Sequence, residues 1–69
     1  MSVYRVTEVI GVSEQSWEDA AREAVKTAAA TVRDLRVAEV IRKDVTIENG
    51  QVKNFRVRLA LSFKYETGD

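Results

Sequence analysis

The strongest constraint on the fold of this chain is a hairpin signal followed by a regular alternating run. Asn49 and Gly50 suit a two-residue type I′ turn, because both central positions of that turn need a positive φ. The run from Val52 to Tyr65 alternates apolar and polar residues, which is typical of a strand buried on one face. Its apolar face carries Phe55, Val57, Leu59, Leu61 and Phe63. The partner strand is predicted to run from about Arg36 to Ile47.

This turn also predicts the register of the two strands. If Asn49 and Gly50 form the turn, Glu48 faces Gln51, and the other pairs follow by counting outward. The predicted pairs are Ala38 with Leu61 and Val40 with Leu59 on the core side, and Val37 with Ser62, Glu39 with Ala60, Ile41 with Arg58 and Lys43 with Arg56 on the other side. Asp44 then lies opposite Phe55. A β-bulge would shift this register.

The part of the chain before the hairpin is predicted to form one strand and one helix. Residues 3–10 are rich in β-branched and aromatic types and end at a glycine. A helix can be capped by Ser13, or by Ser16 with Asp19 three positions later, and is predicted to extend to about Arg33. Its apolar stripe is Trp17, Ala20 or Ala21, Ala24, Ala28, Val32 and Leu35. Most of that stripe is alanine, which buries little apolar area per residue.

The order of these elements predicts an α+β fold with β-α-β-β topology in one domain of residues 1–69. The third strand is expected to lie between the first two and antiparallel to both, with the helix covering one face of the sheet. The other face would carry Val37, Ile41 and Ala60 among charged residues, and nothing in the chain remains to cover it. Exposed apolar patches on small proteins mark association sites, so we expect a homo-oligomer.

Composition supports self-association and excludes several other classes of protein. A domain of 69 residues is marginally stable by itself, and the chain has neither cysteine for disulfides nor histidine for the usual zinc sites. Eleven basic and eleven acidic residues cancel, which argues against nucleic-acid binding. No apolar run is long enough for a membrane span. We therefore expect a cytoplasmic protein, and the absence of an evident nucleophile–base pair predicts that it is not an enzyme.

Several stretches taken together resemble the dodecin family. They are "VYRVTEVIGVS" near the start, "SWEDAAREAV" in the predicted helix, "DLRVAEV" after it, and "IENGQVKNFRVRLALSFKYE" at residues 47–66. The similarity covers nearly the whole chain in order. It implies a hollow homododecamer in which each subunit wraps a three-stranded antiparallel sheet around one helix.

Most described dodecins bind flavins in stacked pairs, and the resemblance places two flavin-contacting positions in this sequence. The tryptophan of the family's Leu-Asp-Trp-Phe-Glu-Val motif falls on Val37, and a glutamine of the last strand falls on Arg56. Valine has no π face for stacking, and arginine is a donor only. We interpret Val37 and Arg56 as vestigial flavin-site positions; binding of FMN, FAD or riboflavin in an altered pocket is the alternative. Trp17, on the helix, is predicted to be a core anchor.

The calcium dodecins resemble this chain more closely than the flavin-binding members do. The similarity lies in "SVY", "SWE", "RVA", Asp44 and "SFK", and it implies calcium binding within a dodecamer. Calcium takes six to eight oxygen ligands. Asp44 and Glu8, two carboxylates inside predicted strands, are the candidate metal ligands. The other interpretation of each is a salt bridge or a solvated strand end.

The uncovered face of the sheet is the predicted subunit interface. Its interface residues are predicted to be Val37, Glu39, Ile41 and Arg58, with Glu39 paired to Arg58. Arg56, Arg58 and Lys43 should form a basic cluster there. That cluster either binds an anion such as phosphate or, as we favour, pairs with Glu39 and with carboxylates of adjacent subunits. A ligand-free structural cage is a further possible function.

Overall fold

The structure, a computed structural model, describes residues 2–65 and contains three strands and one helix in that range. The elements are β1 (Tyr4–Ser13), α1 (Trp17–Ala29), β2 (Leu35–Glu48) and β3 (Gln51–Lys64). β3 lies between β1 and β2 and is antiparallel to both. The predicted α+β class and strand order are therefore confirmed. Glu66, which closes the last stretch of the resemblance, lies outside the described residues.

β1 continues through Gly11 to Ser13, so the predicted end of this strand at residue 10 was wrong. Gly11 is the point where α1 approaches the strand most closely. A Cβ at Gly11 would clash with the backbone carbonyl of Ala20 and would lie 3.0 Å from the Cβ of Ala24. Glycine therefore allows close helix–sheet packing at this position and does not terminate the strand.

The helix begins at the second of the two predicted caps. Ser16 is the N-cap, and its Oγ accepts a hydrogen bond from the backbone N–H of Asp19 at 3.0 Å. Ser13 ends β1 instead, and its Oγ donates to Asp19 Oδ2 at 2.7 Å and accepts from Gln15 N at 2.9 Å. Ser13 thus stabilises the connection between β1 and α1, and the prediction that it caps the helix was wrong.

The helix ends at Ala29 and not near Arg33 as predicted. Ala30 and Thr31 donate their backbone N–H groups to carbonyls three residues earlier, at 3.3 and 3.1 Å, which tightens the final turn. Asp34 then adopts a positive φ of 58° and directs the chain into β2. The end of α1 is therefore set by the turn into the sheet, which the alanine-rich pattern did not reveal. Within residues 2–65, no helix is long and apolar enough to cross a membrane.

The hairpin turn and part of its register are as predicted. Asn49 and Gly50 have φ values of 53° and 74°, as a type I′ turn requires. Glu48 lies opposite Gln51. Four further predicted pairs are present: Val37 with Ser62, Ala38 with Leu61, Glu39 with Ala60 and Val40 with Leu59.

Between these confirmed pairs the register shifts by one residue. The shift begins between Val40 and Arg42 and is reversed between Thr46 and Ile47. The observed pairs are Arg42 with Arg58, Lys43 with Val57 and Asp44 with Arg56. The predicted pairs Ile41 with Arg58, Lys43 with Arg56 and Asp44 with Phe55 were wrong. Ile41 has no partner in the register because it is an extra residue in a β-bulge.

The core lies between α1 and the half of the sheet formed by β1 and β3. Its buried residues are Ala20, Val57, Leu59 and Leu61. The helix makes few contacts with β2. Ala38 and Val40 lie in register with core residues, as predicted, but both are exposed, and the side chain of Val40 is 54% accessible. The helix packs on β1 and β3 and leaves most of β2 uncovered.

The chain is flat and elongated for its length. Its radius of gyration is 14.2 Å and its extents are 54 × 20 × 13 Å, whereas a compact domain of this length has a radius of gyration of about 11 Å. Its accessible surface is 5431 Å², against roughly 4400 Å² for a folded monomer of this mass. The excess surface means that the chain covers its own apolar residues incompletely.

Candidate functional site on the back face of the sheet

The surface of the sheet opposite α1, here called the back face, mixes apolar and charged side chains. β1 contributes Tyr4, Val6, Glu8, Ile10 and Val12; β2 contributes Val37, Glu39, Arg42 and Asp44, with the bulge residue Ile41 next to Arg42; β3 contributes Arg56, Arg58, Ala60, Ser62 and Lys64. The large apolar members are about half exposed. The sequence reasoning missed the contribution of β1, although its alternation over residues 4–12 was the available signal.

The predicted apolar patch is present but differs in one member. Val37 and Ile41 are 54% and 46% accessible, as expected for uncovered side chains. Ala60 was also expected to be exposed, yet it is 7% accessible. It lies in the central strand, in register with Glu8 on one side and Glu39 on the other, and a methyl group between two longer side chains has little access to solvent.

Asp44 is bound by Arg56 through two hydrogen bonds. Arg56 Nε donates to Asp44 Oδ1 at 2.7 Å, and Arg56 Nη2 donates to Asp44 Oδ2 at 2.9 Å. These hydrogen bonds lower the pKa of Asp44; partial burial opposes the shift, and the charges of Arg42 and Arg58 reinforce it. Asp44 is therefore an ionised carboxylate in a bidentate ion pair at neutral pH.

Glu8, the other candidate metal ligand, also pairs with an arginine. Arg58 Nη1 donates to Glu8 Oε1 at 3.0 Å across β1 and β3. Within one chain Arg58 therefore pairs with Glu8, and the pairing of Arg58 with Glu39 at a subunit interface stays a prediction. No group of three or more carboxylates that could hold a metal ion is found among residues 2–65. Within one chain, each predicted metal ligand lies in a salt bridge with an arginine.

Three arginines meet near the middle of the back face. Arg42, Arg56 and Arg58, the arginine cluster, line a small recess of about 60 Å³ together with Ile10 and Asp44. The predicted third member, Lys43, was wrong because the bulge turns it to the helix side of the sheet. There its Nζ lies 5.0 Å from the centroid of the Trp17 ring. Arg42 lies opposite Arg58, where an unbroken register would have placed Ile41, and Asp44 lies opposite Arg56, where it would have placed Lys43.

Trp17 fastens the start of α1 to the hairpin, as its predicted role as a core anchor requires. Its indole Nε1 donates to the backbone carbonyl of Asp44 at 3.0 Å. Its ring meets Phe55 edge-on, with centroids 5.2 Å apart and an interplanar angle of 81°. Because Trp17 bonds the backbone of Asp44 while Arg56 bonds its carboxylate, both sides of the sheet hold this residue in place.

The two positions associated with flavin lie far apart in one chain. Val37 is opposite Ser62, whereas Arg56 is opposite Asp44. Ser62 and Arg56 are six residues apart on β3, which corresponds to about 20 Å along a strand. A pocket that uses both positions therefore has to combine residues of two chains.

Two grooves flank α1 on the other side of the sheet. One, of about 530 Å³, lies between α1 and β1 and includes Val9, Ala28 and Leu61 in its wall. The other, of about 490 Å³, lies between α1 and β2 and includes Trp17 and Val40. Both are open and largely apolar because the alanine side chains of the helix leave them unfilled. The uncovered surface is thus present on both sides of the sheet.

The fold and these surfaces define a small α+β protein of the β-α-β-β type with an uncovered sheet face. The family model that matches the chain is that of dodecin, over residues 3–66. The calcium dodecin of Mycobacterium tuberculosis is 47% identical over 64 residues, covering 93% of this chain and 90% of that protein. The chain belongs to the dodecin family.

Solved dodecin structures match the fold closely. The dodecin of Streptomyces coelicolor superposes with a TM-score of 0.91 at 42% identity, covering 97% of this chain and 96% of that one. The calcium dodecin of M. tuberculosis, a calcium-chelating antigen with a novel calcium-binding site, gives 0.83 at 43% identity, covering 99% and 97%. The dodecin of Streptomyces davaonensis gives 0.88 at 26% identity, covering 94% and 96%.

Proposed function

We propose that this protein assembles into a dodecin-type homododecamer that binds calcium ions and not a stacked flavin pair. It acts in this proposal as a binding or storage protein without catalysis. A cytoplasmic location remains a prediction from composition. The observation that carries the choice of ligand is the exposed aliphatic side chain of Val37, at the position where flavin-binding relatives present a tryptophan.

Assembly is supported by the surface that one chain leaves uncovered. Half-exposed apolar side chains lie on both β1 and β2 of the back face, among them Ile10, Val12 and Val37. Exposed apolar side chains of this kind favour association. Charges of both signs on the same face suit contact with further copies of the chain.

The loss of flavin stacking is supported at both family positions. A stacked aromatic ring contributes about 1–3 kcal/mol per base in comparable nucleobase systems, and valine supplies none of this. Arg56 is engaged by Asp44 through two hydrogen bonds, so its guanidinium is already committed. We propose that neither Val37 nor Arg56 holds a flavin in this protein.

Calcium binding is supported by the calcium dodecin relative and by carboxylates on the back face. Glu8 and Glu39 flank Ala60 in one cross-strand row. We propose that Glu8 is a calcium ligand and that Asp44, whose carboxylate accepts two hydrogen bonds from Arg56, becomes a second ligand only when Arg56 releases it. Because calcium takes six to eight oxygens, the remaining ligands in this proposal come from other copies of the chain and from water.

Calorimetric titration of calcium into metal-stripped protein tests this proposal. We expect saturable binding that Glu8→Gln weakens, whereas Glu48→Gln, at the exposed hairpin end, leaves it unchanged. Absence of binding heat, together with an unchanged melting temperature, would reject calcium as the ligand.

The alternative ligands are tested separately by adding riboflavin or FMN and recording flavin fluorescence. Stacking normally quenches this emission, so quenching at micromolar protein would support an altered flavin pocket and contradict our proposal. If neither calcium nor flavin binds, the result favours a structural cage that holds neither of these ligands.

A further inference from the structure

The arginine cluster contains a direct like-charge pair across the sheet. Arg42 of β2 lies opposite Arg58 of β3 in the register, and both line the recess on the back face. Like charges directly opposite each other destabilise a sheet. A negative charge between these two guanidinium groups would turn that repulsion into attraction.

The nearby carboxylates are already engaged. Asp44 accepts both of its hydrogen bonds from Arg56, and Glu8 accepts from Arg58. In the part of the chain that the structure describes, Arg42 forms no salt bridge. Three arginines and two carboxylates leave this group with one net positive charge. The unbalanced charge is centred on Arg42.

The size and chemistry of the recess define what would fit. Its volume is about 60 Å³, which is about twice the volume that one water molecule occupies in the liquid. A recess of this size suits one small oxyanion and is too small to enclose a nucleotide or a flavin. Guanidinium groups match the oxygens of phosphate and related anions, and Ile10 supplies one apolar wall that reduces competition from water.

We propose that the recess binds a single small oxyanion of the phosphate class, with Arg42 and Arg58 as donors. Asp44 holds Arg56 at the edge of the site and limits the contribution of Arg56 to anion binding. The site adjoins the proposed calcium ligand Glu8, which accepts a hydrogen bond from Arg58, but its own donors are cations. It also does not require the calcium proposal to be correct.

The test uses inorganic phosphate with the full-length protein in chloride-free buffer. We expect phosphate to raise the melting temperature and to bind in calorimetry. Arg42→Ala should weaken phosphate binding about tenfold or more, as expected for the loss of a charged hydrogen-bond donor. Arg22→Ala, on the exposed surface of α1, is the matched control and should bind phosphate like the wild type.

A second variant tests the opposite direction. Asp44→Asn removes a negative charge beside the recess and releases the fork of Arg56, so phosphate should bind more tightly than to the wild type. Circular dichroism and light scattering on each variant verify that fold and assembly are intact.

Two results would overturn the proposal. One is the absence of any phosphate effect on the wild type. If Arg42→Ala then also breaks the assembly, a carboxylate of another copy occupies the recess in place of phosphate. The other is phosphate binding by Arg42→Ala that equals the wild type.

Discussion

Arg56 and Asp44 lie directly opposite each other on β3 and β2 and form a bidentate ion pair, with contacts of 2.7 and 2.9 Å. The pair exists because the bulge at Ile41 moves Asp44 one position along β3. Without that bulge Asp44 would face Phe55, and its carboxylate would lie on the side of the sheet that α1 covers. The bulge therefore creates the charged centre of the back face.

The first prediction concerns acid stability. Arg56 holds the pKa of Asp44 below its ordinary value near 4. A carboxyl group whose pKa is lower in the folded state stabilises the fold above its unfolded pKa and loses that contribution as the pH falls through the folded pKa. We expect the melting temperature of the wild type to decrease once the pH is lower than about 4. Asp44→Asn should have a lower melting temperature than the wild type at neutral pH, and its melting temperature should depend less on pH in the acid range.

Thermal melts between about pH 2 and pH 7 measure this effect. Glu48→Gln is the control, since the salt bridge of Glu48 with Lys53 is long, at 3.7 Å, and exposed. If Asp44→Asn follows the wild-type curve at every pH, the ion pair does not contribute to stability.

The second prediction concerns the packing of α1 on β1. Gly11→Ala places a methyl group against the carbonyl of Ala20 and the Cβ of Ala24, so the helix has to move away from the sheet. Overpacking of this kind costs about 1–3 kcal/mol. Urea denaturation should show the loss of unfolding free energy.

A matched substitution separates this effect from a general response to replacing glycine. Gly50→Ala meets no neighbouring atom within 4 Å and strains only a positive φ of 74°. It should leave near-ultraviolet circular dichroism from Trp17 unchanged, whereas Gly11→Ala should alter it. Identical spectra for the two variants would mean that Gly11 is not a packing contact.

The third prediction concerns assembly through the back face. Ile10→Glu, Val37→Glu and Ile41→Glu each add a charge to the uncovered apolar surface, and we expect each variant to fall apart into smaller species while it keeps part of its helical content. Light scattering measures the mass. Arg22→Glu on the exposed side of α1 should leave the mass unchanged. Full-size assemblies of all three back-face variants would show that this face is not the interface.

The fourth prediction concerns flavin binding, which two substitutions toward the family's flavin-site residues should restore. Val37→Trp returns a stacking surface, and combining it with Arg56→Gln returns the family's hydrogen-bonding amide. We expect the double variant to quench riboflavin fluorescence while the wild type does not. Val52→Trp combined with Arg56→Gln, at an equally exposed valine near the hairpin turn, is the control. Equal quenching by the control would mean that the response is not specific to the family site.

The sequence predicted the elements with strong local signals. The turn at Asn49 and Gly50 requires a backbone conformation that few other dipeptides adopt, and the alternation of β3 identified Val57, Leu59 and Leu61 as core residues. These signals determine topology. They predict the register correctly only next to the turn, at Glu48 with Gln51, and again from Val37 to Val40.

The charged centre could not be predicted because β2 is apolar in part on both faces. A strand with that pattern specifies its register weakly, so a bulge at Ile41 leaves no mark in the sequence. The shift is stabilised by contacts distant in sequence, from Trp17 to the carbonyl of Asp44 and from Arg56 to its carboxylate. Because of that shift, Arg42 belongs to the arginine cluster and the predicted member Lys43 does not.

Native mass spectrometry of the assembly, after incubation with calcium and riboflavin together, tests the central claim most directly. The predicted result is a particle of about twelve times 7.8 kDa that carries bound calcium and no flavin. A monomer or dimer would contradict the assembly, and a dodecamer that retains flavin without calcium would contradict the choice of ligand.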